Sequence, residues 1–189
     1  MRAVAWMVVG LVLALAVFAV ATRGVGLSAR RTPWVGETAL ASVALHWTIP
    51  AEYRSMTTPI AQTADALRAG MEHWADHCAV CHDNDGRGRT EIGRNLFPPA
   101  PDMTAPATQD LTDGVLFYLI EEGIPFTGMP AWSTGMPEGE RQSWELVQFI
   151  RHLPVLTPEE LTEMKALNPR SAADIDREQA IDDFLSGGS

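Results

Sequence analysis

Hydrophobic and polar positions divide the chain into stretches of different character, and the first has no period at all. Ala3 to Ala21, AVAWMVVGLVLALAVFAVA, is nineteen residues without a charge. At 1.5 Å per residue, a helix of that length just crosses ~30 Å of hydrocarbon. A helix of a soluble core needs one apolar stripe, not an apolar surface all round. The stretch therefore predicts a membrane anchor over residues 1–22. A cleaved signal peptide is the other reading, because Ala19-Val20-Ala21 has the small-residue pattern of a cleavage site. Signal-peptide apolar regions normally run ~7–15 residues, and this longer one favours the anchor.

Residues 23–62 read as a connector. Within it, Trp34 to Trp47 (WVGETALASVALHW) has helical spacing and small residues. It suits either a helix at a membrane surface, where Trp is favoured, or an ordinary packing helix. Pro50 and Pro59 stop any longer element. Periodicity then becomes clear. Thr63 to His77 predicts a helix, with Leu67, Gly70, Met71 and Trp74 at i, i+3, i+4 and i+7. Asp83 to Asp110 is rich in Gly and Pro and predicts no regular element. So long a loop belongs in a compact domain only if it wraps something, and a flat cofactor would serve. Leu111 to Gly123 predicts a second helix, with Thr112 as N-cap, Asp113 at the positive end and Gly123 at the left-handed exit. Glu138 to Leu153 predicts a third, with Trp144, Val147 and Phe149 or Ile150 inward and Pro154 as the stop. Two short helices follow: one opens at Thr157-Pro158-Glu159-Glu160 and ends at Asn168-Pro169, and the other runs from Ser171 to Leu185. The expected architecture is all-α, with a helical domain over 63–153 and an acidic helical tail over 154–189.

Charge changes the picture in one respect. The 24 acids and 14 bases give a net charge of −10, which excludes a nucleic-acid binder for want of a basic footprint. Residues 1–59 carry five Arg against two Glu, residues 60–153 six bases against fourteen acids, and residues 154–189 three against eight. Arg2 precedes the apolar stretch, whereas Arg23, Arg30 and Arg31 follow it. The positive-inside rule alone would put the following domain in the cytoplasm.

The two cysteines, Cys78 and Cys81, cannot staple a domain from three positions apart. They stand in Cys78-Ala79-Val80-Cys81-His82, and C-x-x-C-H reads as covalent haem attachment. Two thiols one helical turn apart can add to the two vinyl groups on one haem edge, and the next residue can put a neutral imidazole under the iron. A dithiol redox site would want a βαβ context, and a zinc site two more ligands; neither is present in the sequence. His73 and His77 share a helix face at i, i+4, where a metal or plain solvent can meet them. A single motif implies one haem per chain. A second axial ligand must come from the opposite face, and Met often supplies it. Three candidates follow the motif. Met103 lies in the proline-rich segment expected on the His82 side. Met136 abuts the third helix. Met129, in Gly128-Met129-Pro130-Ala131-Trp132, lies in the loop that can return over the other face. Met129 is the expected ligand, with Pro130 stiffening the loop and Trp132 packing along the haem edge.

In these residues the sequence resembles class I cytochromes c, in particular small membrane-anchored monohaem cytochromes of bacteria. The resemblance spans about Ala64 to Leu153 and rests on Gly70 and Trp74 ahead of Cys78-Cys81-His82, Gly86-Arg87-Gly88, Pro98-Pro99, Gly128-Met129-Pro130, and Trp144 to Ile150. It implies that the first and last helices cross at Gly70, with Trp74 against Leu146 and Phe149. It implies that a carbonyl of Pro98 or Pro99 accepts a hydrogen bond from the ring of His82. Haem is attached to such motifs after export, so it implies an inner-membrane protein with its haem domain in the periplasm, against the arginine count. The docking lysines of many family members are absent. The implied function is electron transfer through a His/Met-ligated haem c to unidentified redox partner proteins, not catalysis. A net charge of −8 over residues 60–153 suits partners with basic faces. Arg87, Arg89 and Arg94 form a local basic patch beside the site, facing haem propionates, a partner or solvent. The rival readings are a haem-based redox or gas sensor, which needs a labile ligand and an output element, and a peroxidase-type enzyme, which needs an open iron position and a distal acid–base group.

Overall fold

The computed structural model describes residues 2–25, 28–170 and 172–186, and no described residue lies in a strand. The chain divides into two units, residues 1–31 and 32–189. The first contains helix α1 (Arg2–Val25), long and apolar enough to cross a membrane and with none of the span buried.

The second unit holds the remaining helices: α2 (Val35–Thr48), α3 (Ala51–Ser55), α4 (Ala64–His73), α5 (Ala79–His82), α6 (Glu91–Asn95), α7 (Pro106–Gln109), α8 (Asp113–Glu122), α9 (Pro137–His152), α10 (Pro158–Leu167) and α11 (Ala172–Leu185). Its centre is the crossing of α4 and α9. Gly70 makes the crossing possible, because a Cβ there would lie 2.2 Å from the Glu145 carbonyl oxygen. That approach buries Trp74, Leu146, Val147, Phe149 and Ile150, with Phe149 at 0% exposure. The Trp74 and Phe149 rings lie 5.6 Å apart, as the resemblance implied, and Trp74 Nε1 donates to the Asp83 carbonyl at 3.0 Å. Helix α8 closes the core with Phe117 stacked on Trp144 at 4.3 Å. Its predicted caps are in place: the Thr112 hydroxyl accepts from Val115 N–H, and Gly123 leaves the helix at φ 66°. Arg151 of α9 reaches across to Asp113 (2.8 Å) and the Gln109 carbonyl (2.7 Å).

Two expectations need correction. The first helix does not end at His77. A π-helical stretch, Trp74–Cys78, in which Ala79 N–H reaches back five residues to the Trp74 carbonyl, leads directly into α5, so the helix carries the whole C-x-x-C-H motif. The Asp83–Asp110 loop is not devoid of helix. Thr90 caps α6 by accepting from Gly93 N–H (2.8 Å), and Pro106 opens the single turn of α7. Local capping there overrides the density of Gly and Pro. Packing continues beyond Leu153. Thr157 and Glu160 form the expected capping box, and α10 puts Met164 into the core at 0% exposure. Asn168, with its amide oriented by its partners, pairs with Asn84 at 2.9 and 3.0 Å. The connector likewise contributes α3: Tyr53 packs on Tyr118 and Phe117, and Gly114 N–H donates to the Met56 carbonyl at 3.2 Å.

Candidate haem-binding site

Cys78, Cys81 and His82 sit at the end of the α4–α5 rod, where Trp74 anchors it in the core. Cys78 and Cys81 are free thiols. Burial, and then the neighbouring Cys81, pushes the Cys78 thiol up to about 12; burial also raises Cys81. A thioredoxin-type dithiol needs the opposite, a stabilised thiolate. Burial brings His82 down to about 4, so its ring is neutral, the form that ligates a metal. The ring lies 5.6 Å from that of Trp74, and its Nδ1 is buried with no hydrogen-bond partner. A buried ring nitrogen with no protein partner, beside two half-buried free thiols, fits a haem. The donation to a Pro98 or Pro99 carbonyl is not formed in this structure.

The chain after His82 is built onto the motif. Asp83 turns it at φ 65°. Gly88 N–H donates to the His82 carbonyl (2.7 Å) and the Thr90 hydroxyl to the Cys81 carbonyl (3.1 Å). Gly93 lets α6 lie against the motif, since a Cβ there would be 2.1 Å from the Cys81 carbonyl oxygen. Further along, Met103 N–H donates to the Gly86 carbonyl (2.7 Å), which puts Met103 in the His82-side loop as expected.

The loop between α8 and α9 is held differently. Ile124 N–H donates to the Met129 carbonyl (3.1 Å), and Met129 N–H to the Thr127 hydroxyl (3.1 Å), closing a tight turn. Trp132 and Ser133 N–H bond back to the carbonyls of Ile120 and Glu121 at the end of α8. Two contacts bring this turn to the motif. Gly128 lies against Leu96, just after α6, and the Trp132 ring meets His77 edge-on at 5.5 Å. Met129 is half-buried there, whereas Met136 is 62% exposed at the N-cap of α9.

The remaining sequence candidates are peripheral. His73 and His77 contact each other at 5.0 Å, and among the described residues no group of three or more His, Cys, Asp or Glu is placed to hold a metal ion. Burial and His77 keep His73 below its ordinary value. Arg87 pairs with Asp85 at 3.7 Å, and Arg89 and Arg94 are exposed. Thr90, Gly93 and Leu96, which connect the motif to the Met129 turn, were not singled out from sequence; the N-cap pattern at Thr90 was the available signal.

Residues 65–150 match the family model described as cytochrome C oxidase, cbb3-type, subunit III. No curated protein matches the chain. The match runs from the first turn of α4 into the last turns of α9 and includes the motif and both loops. An all-α domain carrying Cys78-Cys81-His82 is consistent with a class I c-type cytochrome. The Cys78-Cys81-His82 spacing, with Met129 brought to the same site, matches the attachment and axial-ligation pattern of an electron-transfer haem c, one per chain. That pattern supports an electron-carrier role, and α1 supports anchoring of the protein in a membrane.

Proposed function

We propose that the protein is a membrane-held electron carrier whose cytochrome domain faces the periplasm, with Cys78 and Cys81 attached to haem and His82 and Met129 as its axial ligands. The haem would supply a one-electron ferric/ferrous couple. The observation that carries the assignment is the buried, unpartnered Nδ1 of His82 at the end of the helix that carries two free thiols, with the Met129 turn held nearby by Leu96 and Trp132. Met129 offers a neutral thioether, which favours the reduced metal and raises the potential. Trp132 holds the turn by packing on the attachment helix. With haem bound, a Pro98 or Pro99 carbonyl would accept a hydrogen bond from the His82 Nδ1–H; such a bond sets tautomer and orientation. The acidic domain favours partners with basic docking faces, met in brief encounters steered by charge.

The test is a redox titration of the purified holoprotein with a carbon monoxide challenge. A carrier shows one reversible one-electron step and a reduced spectrum indifferent to carbon monoxide. Ready binding would support the sensor or peroxidase reading instead. Protease treatment of spheroplasts should remove the cytochrome domain from intact inner membranes. An N-terminus at Thr22 would establish cleavage in place of anchoring.

A further inference from the structure

Helix α2 buries none of its residues, unlike α4, α8, α9 and α10. Gly36, Leu40, Val43 and Trp47 recur at i, i+4, i+7 and i+11, one continuous stripe. Leu40 is 72% exposed, Val43 67% and Trp47 82%. Glu37, Thr38 and Ser42 lie off that stripe, giving the helix a polar side. A second exposed tryptophan, Trp34, stands at the N-cap, its ring folded over Gly36. The two indoles bracket fourteen helical residues, about 21 Å of helix, which is too short to span a bilayer.

The helix is also not a loose tether. The Arg54 guanidinium donates to the carbonyls of His46 (2.8 Å), Trp47 (3.3 Å) and Ile49 (2.9 Å), capping the end of α2 with a positive charge where the helix dipole favours it. Ile49 is buried, and α3 follows at once with Tyr53 against the rings of α8. The C-terminal end of α2 is thus fixed to the cytochrome domain. At the other end, ten residue steps separate Val25, the last residue of α1, from Val35, and they span at most roughly 35 Å of extended chain. The linker is short, and α2 can reach the surface of a membrane that α1 spans.

We propose that α2 lies in the interfacial layer of the membrane that carries α1, with the Gly36–Leu40–Val43–Trp47 stripe in lipid, and so seats the cytochrome domain against the membrane surface. Tryptophan at both ends is the side chain that an interface favours. Charge does not drive the contact, since residues 60–153 carry a net −8 and are repelled by anionic headgroups; the apolar stripe must hold the helix down, helped at the chain's entry by Arg30 and Arg31. The consequence is functional: the site is held at a restricted height and tilt above the bilayer, suited to a partner embedded in the same membrane. The inference rests on α1 being a retained anchor, and the experiment separates the two.

The full-length holoprotein is reconstituted in phosphatidylcholine–phosphatidylglycerol vesicles containing a lipid with a diazirine near the top of one acyl chain. After photolysis, adducts are mapped by mass spectrometry. The expected result is lipid adducts in α1 and in the segment carrying Leu40, Val43 and Trp47. The Leu40→Glu, Val43→Glu double variant should lose the α2 adducts severalfold while keeping those of α1 and an unchanged haem spectrum. Adducts in α1 with none in α2, or cross-links from α2 to a second copy of the chain, overturn the proposal and leave the anchor standing. Absence of adducts from both helices overturns the anchor as well.

Discussion

The two loops that flank the C-x-x-C-H motif are held in opposite ways. The loop after His82 is bonded to the motif itself: Gly88 to the His82 carbonyl, Thr90 to the Cys81 carbonyl, and Gly93 in van der Waals contact with the Cys81 backbone. Gln109 then ties it to α9 through the carbonyls of Met103 (2.7 Å) and Ile150 (2.9 Å). The Met129 loop is bonded to itself and to the end of α8, and its recorded contacts with the motif region are made by Gly128 on Leu96 and Trp132 on His77. One side of the site is part of the scaffold, and the other rests on it. Damage to the His82 side should therefore appear in attachment and folding, and damage to the Met129 side in ligation and potential.

The largest expected effect is on the scaffold. Cys78→Ala or Cys81→Ala should weaken or abolish covalent attachment, read as loss of haem staining after denaturing electrophoresis. Trp74→Ala removes the side chain joining the motif to the α4–α9 crossing and should cost ~3–5 kcal/mol in denaturant unfolding of the holoprotein. Gly70→Ala places a methyl group against the Glu145 carbonyl and should cost about 1–3 kcal/mol by overpacking. Leu96→Ala, which removes the side chain that Gly128 rests on, should leave attachment intact and loosen the Met129 turn, read as faster ligand exchange at the iron. Equal unfolding losses from Gly70→Ala and Leu96→Ala would erase the distinction between the scaffold and the support of the Met129 turn.

A smaller effect concerns the tail. Burial opposes ionisation of Glu160, but the Thr157 N–H, His152 and the Thr157 hydroxyl outweigh it and hold the carboxyl below its usual 4.5. The folded state thus binds fewer protons there than the unfolded state. The stabilisation is fully present above pH 4.5 and is lost as pH falls through the lower folded value. Glu160→Gln should cost about 1 kcal/mol near neutral pH, as lost caps do, and the deficit should vanish in acid.

Much of this was readable in the sequence, for local reasons. The helices α8, α9 and α10 announce themselves by Thr112, the Trp144–Val147–Ile150 spacing and the Thr157–Glu160 box, and C-x-x-C-H names its own chemistry. Other features depend on partners distant in the chain. The π-helical stretch at Trp74–Cys78 leaves no mark on an apolar pattern of period 3.6. The helix α6 exists because Thr90 caps it and Gly93 fits against Cys81, a contact invisible among the glycines and prolines of that loop. Met164 gives α10 no clear apolar face, yet it is wholly buried because α10 docks beside the motif helix. The Met129 turn was legible by position; its supports, Leu96 and His77, were not.

The central claim is that Met129 is the ligand opposite His82, and substitution of the two loop methionines tests it most directly. The ferric holoprotein should show the weak red-edge absorption band that resemblance to class I cytochromes c assigns to an iron–thioether bond. Met129→Ala should abolish that band, open the iron to carbon monoxide or cyanide, and lower the potential through loss of a soft neutral ligand. Met136→Ala, at an exposed helix cap, should leave all three unchanged. Reversed outcomes would make Met136 the ligand, and a band that survives both substitutions would contradict ligation from this loop.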